Sequence, residues 1–350
     1  MVGDKPRLSI NCITYNQKNF IRQTLDSFLM QKTNFPFVVY ISDDASTDGT
    51  AEIIQEYADK YPDIIKPRLR TENVGGPKNY LENLMRADCE YFANCEGDDY
   101  WTDPYKLQKQ VDFLDAHPDF FICFHLVREK WEDGSGRKDV LLPPPHVRYE
   151  KSVLTLDDFF KHNFICGANT VVYRWRFNRT DTRVEDYFPL NIEPGDWFLH
   201  LLHAEVGKIY FMNEEMSVYR RHKGGIFYQQ YGSDDFYIKN GLKHIKFYKE
   251  VEKRFHYDNS KPVFDIGIEL YKSLIRNDRF DMLQTFKSEY AKDYERVKNS
   301  MYERSSLFDE KTYKKILRKA SLAYKVQRTF SFGKHRKKIN LILKKIKSVM

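Results

Sequence analysis

The 350-residue sequence is poor in cysteine, and the five it has, Cys12, Cys89, Cys95, Cys123 and Cys166, include no C-x-x-C pair. An odd, scattered set argues against a disulfide framework or a cysteine-based zinc site, and it reads as small buried hydrophobes in a reducing compartment. Long apolar runs are also missing: none approaches the roughly 18 residues of a membrane span. A strand-like pattern begins by Leu8, which is expected to leave no room for a signal peptide. The expected address is the cytoplasm. No internal repeat marks a solenoid or an array.

Acidic residues are lacking in one place only. Residues 311–350 hold 14 of the 57 Lys and Arg and no Asp or Glu, which leaves 43 basic against 50 acidic side chains in residues 1–310. A mildly acidic body thus carries a strongly basic tail, and the two raise separate questions. With 41% apolar and 15% aromatic residues the body has ample core material, enough for one large or two smaller domains.

Apolar runs and helical periodicities alternate through the first part of the chain. Strand patterns at 8–14, 37–41, 64–69, 89–93 and 120–127 are separated by helix patterns such as Phe20, Ile21, Leu25, Phe28 and Leu29, or Tyr80, Leu81, Leu84 and Met85. Such alternation implies βαβ units and a parallel sheet, with ligands at the carboxyl ends of the strands. Three polar loops follow strands and should meet on that rim: Thr14-Tyr15-Asn16, Asp43-Asp44, and Glu96-Gly97-Asp98-Asp99. Residues 128–152, with Pro143-Pro144-Pro145, read as an exposed connection. A further strand pattern covers 208–219, and from about Gly241 the period is helical to the C-terminus. The expected division is a domain at 1–235 and a helical region at 236–350.

Glu96-Gly97-Asp98-Asp99 puts three carboxylates within four residues directly after an apolar run. Like charges this close repel unless something positive compensates. Hard oxygen donors suit Mg²⁺ or Mn²⁺, held by one or two carboxylates plus substrate phosphates. The plainer reading is a solvated turn capping the helix that starts near Pro104. Asp44-x-Ser46-x-Asp48-Gly49 resembles the opening of a calcium-binding loop, but Gln55 stands where the bidentate Glu is needed, so calcium is rejected. Ser46, Thr47 and Asp48 are good caps for a helix at Thr50. Capping leaves the Asp43-Asp44 pair without a reason, which favours a ligand contact for one of them.

Four segments, Ser9–Asn16 (SINCITYN), Asp43–Thr50 (DDASTDGT), Asn73-Val74-Gly75 with Asn79, and Gly97-Asp98-Asp99, come in an order and spacing that resembles family 2 glycosyltransferases over about residues 7–225. The resemblance implies the GT-A (Rossmann-like) α/β fold: a mixed, mostly parallel sheet flanked by helices, here with an α-helical C-terminal extension. It implies an inverting, nucleotide-sugar-dependent transferase, with a UDP-linked donor and a glycan or lipid-linked acceptor. Thr14, Tyr15 and Asn16 would line the nucleoside pocket, and Asp44 would hydrogen-bond the base. Asp98 would support ribose or metal, Asp99 would be the leading metal ligand, and Asp196 would be the base that deprotonates the acceptor. His222 would contact the metal or diphosphate, and Arg220 or Arg221 would neutralise the leaving group. Two departures stand out: Glu96 replaces the first Asp of the D-x-D segment, and Lys78 replaces the usual Arg beside Asn79. The plainer readings are that Asp196 caps its helix and that His222 is a surface residue of a basic loop. A sugar-phosphate nucleotidyltransferase and a non-catalytic nucleotide-sugar-binding scaffold are the competing classes.

In the tail, Ile339, Ile342, Leu343, Ile346 and Met350 share one helical face, with Lys337, Lys338, Lys344, Lys345 and Lys347 around the rest. A basic amphipathic helix reads as an anchor on an anionic membrane surface, here the inner face of the cell membrane, or as a helix packed on the body. No nucleic-acid motif accompanies the charge, and no nucleic-acid partner is expected. Deleting residues 335–350 should release the protein from anionic vesicles in a flotation assay while sparing transfer to a soluble acceptor. Unchanged vesicle binding would remove the anchor reading.

Overall fold

Strand β1 (Leu8–Thr14) is buried along almost its whole length, as a central parallel strand covered on both faces must be. It pairs in parallel with β2 (Phe37–Asp43) and β4 (Tyr91–Asn94), and β2 pairs in parallel with β3 (Ile65–Leu69). Helices α1 (Ile21–Leu29), α2 (Thr50–Lys60) and α3 (Gly76–Leu84) are the crossovers. Their apolar stripes, such as Ile21, Leu25 and Phe28 of α1 and Ile53 and Ile54 of α2, close over the sheet and join one core with Ile10, Cys12, Val39 and Tyr91. This is a computed structural model, and it describes residues 5–144, 152–177, 182–225, 228 and 233–304. The basic tail lies outside the described residues.

Beyond β4 come β5 (Tyr100–Trp101), α4 (Lys106–Ala116), β6 (Phe120–Trp131), β7 (Val140–Leu142), β8 (Val153–Leu154), α5 (Leu156–Lys161), β9 (Val172–Arg174), α6 (Gly195–Ala204) and β10 (Lys208–Arg221). The strand order is β3-β2-β1-β4-β9-β6-β10-β5, with β7 on β6 and β8 on β10. β6 and β10 are parallel over their length, while β9 enters antiparallel between β4 and β6. The sheet is therefore mixed and mostly parallel, as expected. The alternating pattern gives no hint of β9, whose three residues are too few to carry a period; pairing on both sides makes it a strand. β6 and β10 also run further than their apolar patterns, because their polar ends pair with each other up to Trp131 and Arg221.

The chain divides into one unit ending at Tyr228 and another starting at Gln229. In the second unit α7 (Asp234–Phe255), α8 (Ser260–Arg276), α9 (Phe280–Glu289) and α10 (Ala291–Arg304) enclose a core of Ile245, Val263, Leu270, Leu274, Phe286 and Val297. Gly241 lets α7 and α8 approach closely: a Cβ there would lie 2.9 Å from Leu270 Cδ1. Asp234 in the first turn of α7 accepts from Arg276 and Asn277 at the end of α8, matching charge to both helix termini. No described helix is long and apolar enough to cross a membrane.

Two histidines of α6 sit wholly inside the first unit. His200 Nδ1 lies 2.7 Å from the Tyr173 hydroxyl and His203 Nδ1 2.9 Å from the Leu199 carbonyl, while both Nε2 atoms lack partners among the described residues. Burial pushes both down to about 3. A folded value below the unfolded one means that the unfolded chain binds more protons as pH falls below about 6.5, so stability is present above that pH and lost beneath it. Lowering the pH to 5 should cost about 2 kcal/mol per histidine in urea unfolding. His203→Leu should flatten that dependence, and an unchanged slope would contradict the assignment.

Candidate active site

The first unit has a cavity of about 380 Å³ at the carboxyl ends of β1, β2 and β4, in the size range of a small-molecule site. Thr14, Tyr15, Asp44, Asn79, Glu96, Asp98, Asp196, Tyr219, Arg220, Arg221 and His222 line it. Three loops distant in sequence thus meet on one rim, because parallel strands all deliver their carboxyl ends to the same edge.

Backbone bonds hold the acidic loop against β1. Cys95 and Gly97 donate to the carbonyls of Asn11 and Ile13 at 3.0 Å each. Only glycine suits position 97, where a Cβ would fall 2.4 Å from Thr14 Cγ2. Thr24 Oγ1 of α1 donates to the carbonyls of Gly97 (2.9 Å) and Asp99 (2.6 Å), tying the turn to the helix beneath it.

The two aspartates of this turn face different ways. Asp99 is buried, and both carboxylate oxygens are engaged by the protein: Oδ1 accepts from the Arg220 backbone N–H at 2.9 Å and Oδ2 from Asn169 Nδ2 at 3.0 Å. It does not line the cavity. Asp98 does, with Oδ2 3.0 Å from His222 Nε2 and a buried Oδ1 that has no hydrogen-bond partner among the described residues. The leading metal role expected for Asp99 therefore meets a carboxylate already committed to internal N–H groups, whereas Asp98 lines the cavity and keeps one oxygen unpaired among the described residues. Adjacent acids cannot be told apart in a sequence, because their directions depend on the backbone of the turn.

Carboxylates crowd the cavity. Burial and then the charges of Asp98, Asp196 and Glu193 push Glu96 up to about 8. Burial with Asp98 and Glu96 nearby also raises Asp99, opposed by the Arg220 N–H and its charge. Burial raises Asp196, against the pull of the Trp197 N–H that its Oδ1 accepts at 2.8 Å. Asp196 is thus both in the first turn of α6 and on the cavity wall, so the capping and site readings describe one geometry. A carboxylate oxygen without an internal donor, in a cleft too negative to keep every acid ionised, suits a hard divalent cation, while His222 holds the other oxygen of Asp98 through Nε2 and accepts from the Gly224 N–H at Nδ1. Among the described residues no three His, Cys, Asp or Glu side chains form a closed metal site.

The nucleotide-side residues separate as well. Asp44 Oδ1 and Oδ2 accept from the backbone N–H groups of Val74 (2.8 Å) and Gly75 (2.9 Å), so it organises the 73–76 loop while bordering the cavity. Asp43 is a turn residue, accepting from Thr14 Oγ1 at 2.7 Å and from the Ser46 N–H at 2.9 Å. Asn16, with φ 53°, exchanges bonds with Ser46 and Thr47 and is not on the cavity wall, whereas Tyr15 is on the wall and 51% exposed. Lys78 is also off the wall: its ammonium lies 3.8 Å from Glu82, one helical turn on, with the side chain 57% exposed. Arg220 is a clamp, its side chain 2% exposed, with Nε 3.2 Å from Glu132 Oε2 and the guanidinium donating to the Asp98 carbonyl and to Gln23. Arg221 pairs with Glu129 at 2.5 Å at the cavity edge.

Tyr80, Phe188, Asn191, Ile192, Glu193 and Tyr228 also line the cavity without having been singled out in the sequence. Tyr80 reads there as one more member of an apolar helix face, and the others lie in segments without periodicity. Only Glu193, close before Asp196, carried a usable signal.

Residues 9–181 match the model of glycosyl transferase family 2. Over this segment, a little under half of its length, the chain is similar to that family, and its fold is GT-A. A protein of Mycobacterium tuberculosis described as uncharacterized is 48% identical over 224 residues, 64% of this chain and 61% of its own length. The chain thus spans about three fifths of that relative. The dTDP-rhamnosyl transferase RfbG of Shigella flexneri is 25% identical over 69% of this chain and 82% of its own. Among solved structures, the mannosyltransferase PcManGT of Pyrobaculum calidifontis, in complex with GDP-Man and Mn²⁺, shares the fold. Its TM-score is 0.50 at 16% identity, over 97% of this chain and 85% of that one.

Asp99→Asn should destabilise the fold, because an amide N–H must then face one of two internal donors, at a cost of about 1–3 kcal/mol. Asp98→Asn should cost much less, since Oδ1 has no internal donor to lose. Thermal unfolding of the two variants tests this, and the opposite ranking would contradict the division of roles.

Proposed function

We propose that the chain is an inverting glycosyltransferase. It would move a sugar from a UDP-linked donor to a hydroxyl of a glycan or lipid-linked acceptor in bacterial surface-polysaccharide synthesis. The observation that carries this reading is the sharing of one cavity by the nucleotide-side residues Tyr15 and Asp44, the Asp98–His222 pair, and Asp196.

Asp98 is the side chain that would hold Mg²⁺ or Mn²⁺, with His222 positioning its second oxygen, Glu96 on the same wall and the donor's phosphates completing the set. Such an ion supplies positive charge against the diphosphate as it departs. Arg221 adds to that charge from the cavity edge, and Arg220 keeps the acidic turn in place from behind. Tyr15 offers an exposed ring to the nucleoside, and Asp44 keeps the 73–76 loop shaped around it. Asp196 takes the proton of the acceptor hydroxyl while that oxygen attacks the anomeric carbon from the side opposite the diphosphate, so configuration inverts. Peripheral attachment through the basic tail would bring the site to lipid-linked acceptors.

Asp196→Asn should keep donor binding and lower turnover by about a thousandfold or more. In the unaltered enzyme the base must be ionised. Because burial raises its pKa in the free protein, the acid limb of kcat/KM should lie above the ordinary carboxylate range, with activity rising with pH through it. Release of nucleoside diphosphate from a panel of nucleotide sugars measures both, and turnover in Asp196→Asn equal to the parent would remove Asp196 from this role.

A further inference from the structure

Behind the cavity runs a chain of buried amides with a fixed direction. Asn11, Asn83 and Asn94 are each about 98–99% buried, and so are bound to satisfy their hydrogen-bonding groups internally. Arg86 Nη1, which can only donate, gives to Asn83 Oδ1 at 3.1 Å. Asn83 Nδ2 faces the backbone carbonyl of Tyr40 at 2.7 Å, which can only accept. Those two partners fix which end of the Asn83 amide is nitrogen. Asn83 Nδ2 then donates to Asn11 Oδ1 (2.6 Å), Asn11 Nδ2 to Asn94 Oδ1 (2.7 Å), and Asn94 Nδ2 to the Tyr80 hydroxyl (2.8 Å). No link can be reversed without setting donor against donor or acceptor against acceptor.

The chain ends on Tyr80 as an acceptor, so the phenolic proton is left to give away. No described protein acceptor takes it, and Tyr80 lines the cavity. The charges acting most on this phenol are those of Asp196 and Glu96, which line the same cavity. Its ring lies 6.0 Å from that of Phe188 on the same wall, an aromatic contact that holds it in place.

We infer that Tyr80 is a ligand-binding residue whose hydroxyl, oriented by the Asn83–Asn11–Asn94 relay, donates a hydrogen bond to a hydroxyl oxygen of the donor sugar. This rests on the proposed transferase activity and adds a specificity determinant to it. A phenol that already accepts from Asn94 and still has its proton to give favours a sugar bearing an accepting oxygen at that position over the deoxy analogue.

The test compares binding of UDP and of a UDP-sugar by calorimetry, together with turnover, in the parent, Tyr80→Phe and Asn94→Asp. Tyr80→Phe keeps the ring and removes the proton. Asn94→Asp keeps the shape but turns the neighbour into an acceptor that takes the Tyr80 proton for itself. Both variants should bind UDP as the parent does, and each should lose about tenfold in affinity for the UDP-sugar and in kcat/KM. Thermal unfolding identifies a merely structural role, which would lower stability and weaken UDP and UDP-sugar equally; that outcome overturns the inference. So does an active parent whose Tyr80→Phe variant is unimpaired, which leaves the transferase reading intact. A parent that neither binds nor turns over any nucleotide sugar overturns both.

Discussion

The bonds to Asp99 are the constraint on which the site depends. One buried carboxylate accepts from the backbone of Arg220 on β10 and from the side chain of Asn169, so it fastens the turn after β4 to two segments that follow it by 121 and 70 residues. Asn169 is held in turn, donating to the Val218 carbonyl at 2.9 Å and accepting from Ser217 at 3.2 Å. Its carbonyl accepts from Trp101 Nε1 at 2.9 Å. The ring of Trp101 packs under Lys106, a wholly buried lysine that burial lowers to about 7 and whose ammonium lies 4.3 Å from that ring. Breaking one internal partner of a buried charge costs far more than a surface pair, which makes this knot a rigid base for the residues that face the cavity.

That base explains the division of labour around the rim. Residues of the rim fall into two sets: those whose polar atoms are consumed by the protein, and those that line the cavity with a polar group still available. Asp99, Asp43, Asn16 and Arg220 belong to the first set, and Asp98, Tyr15, Asp196 and Tyr80 to the second. Preorganisation requires both, since an open group is useful only if its neighbours stop it from moving. The cavity keeps more carboxylates than it can leave ionised, a cost borne where a cation and a diphosphate would meet.

Much of this was legible in the sequence. The alternation of apolar runs and helical stripes implies parallel β1 to β4 with their crossovers, and strand-to-loop transitions put positions 14–16, 43–44 and 96–99 on a common rim. The family resemblance in these loops agrees with the match over residues 9–181. What was not legible has one cause. Side-chain direction within a turn depends on backbone torsions and on partners far along the chain, so Asp98 and Asp99, or Arg220 and Arg221, are equivalent until the turn is built. Lys78 fails to reach the cavity for the same reason, its place in α3 turning it to Glu82 and solvent.

The sequence by itself determined the class of fold, the set of acids available and the edge of the sheet where they gather, because periodicity and strand ends are local properties. Tertiary structure alone decided that β9 would insert antiparallel and that Asp99 would be locked while Asp98 stayed open. It also decided that three asparagines spread over residues 11–94 would align into one directed chain ending on Tyr80. Those outcomes depend on hydrogen-bond complementarity between distant segments, which no local pattern encodes and which burial enforces only once the segments have met.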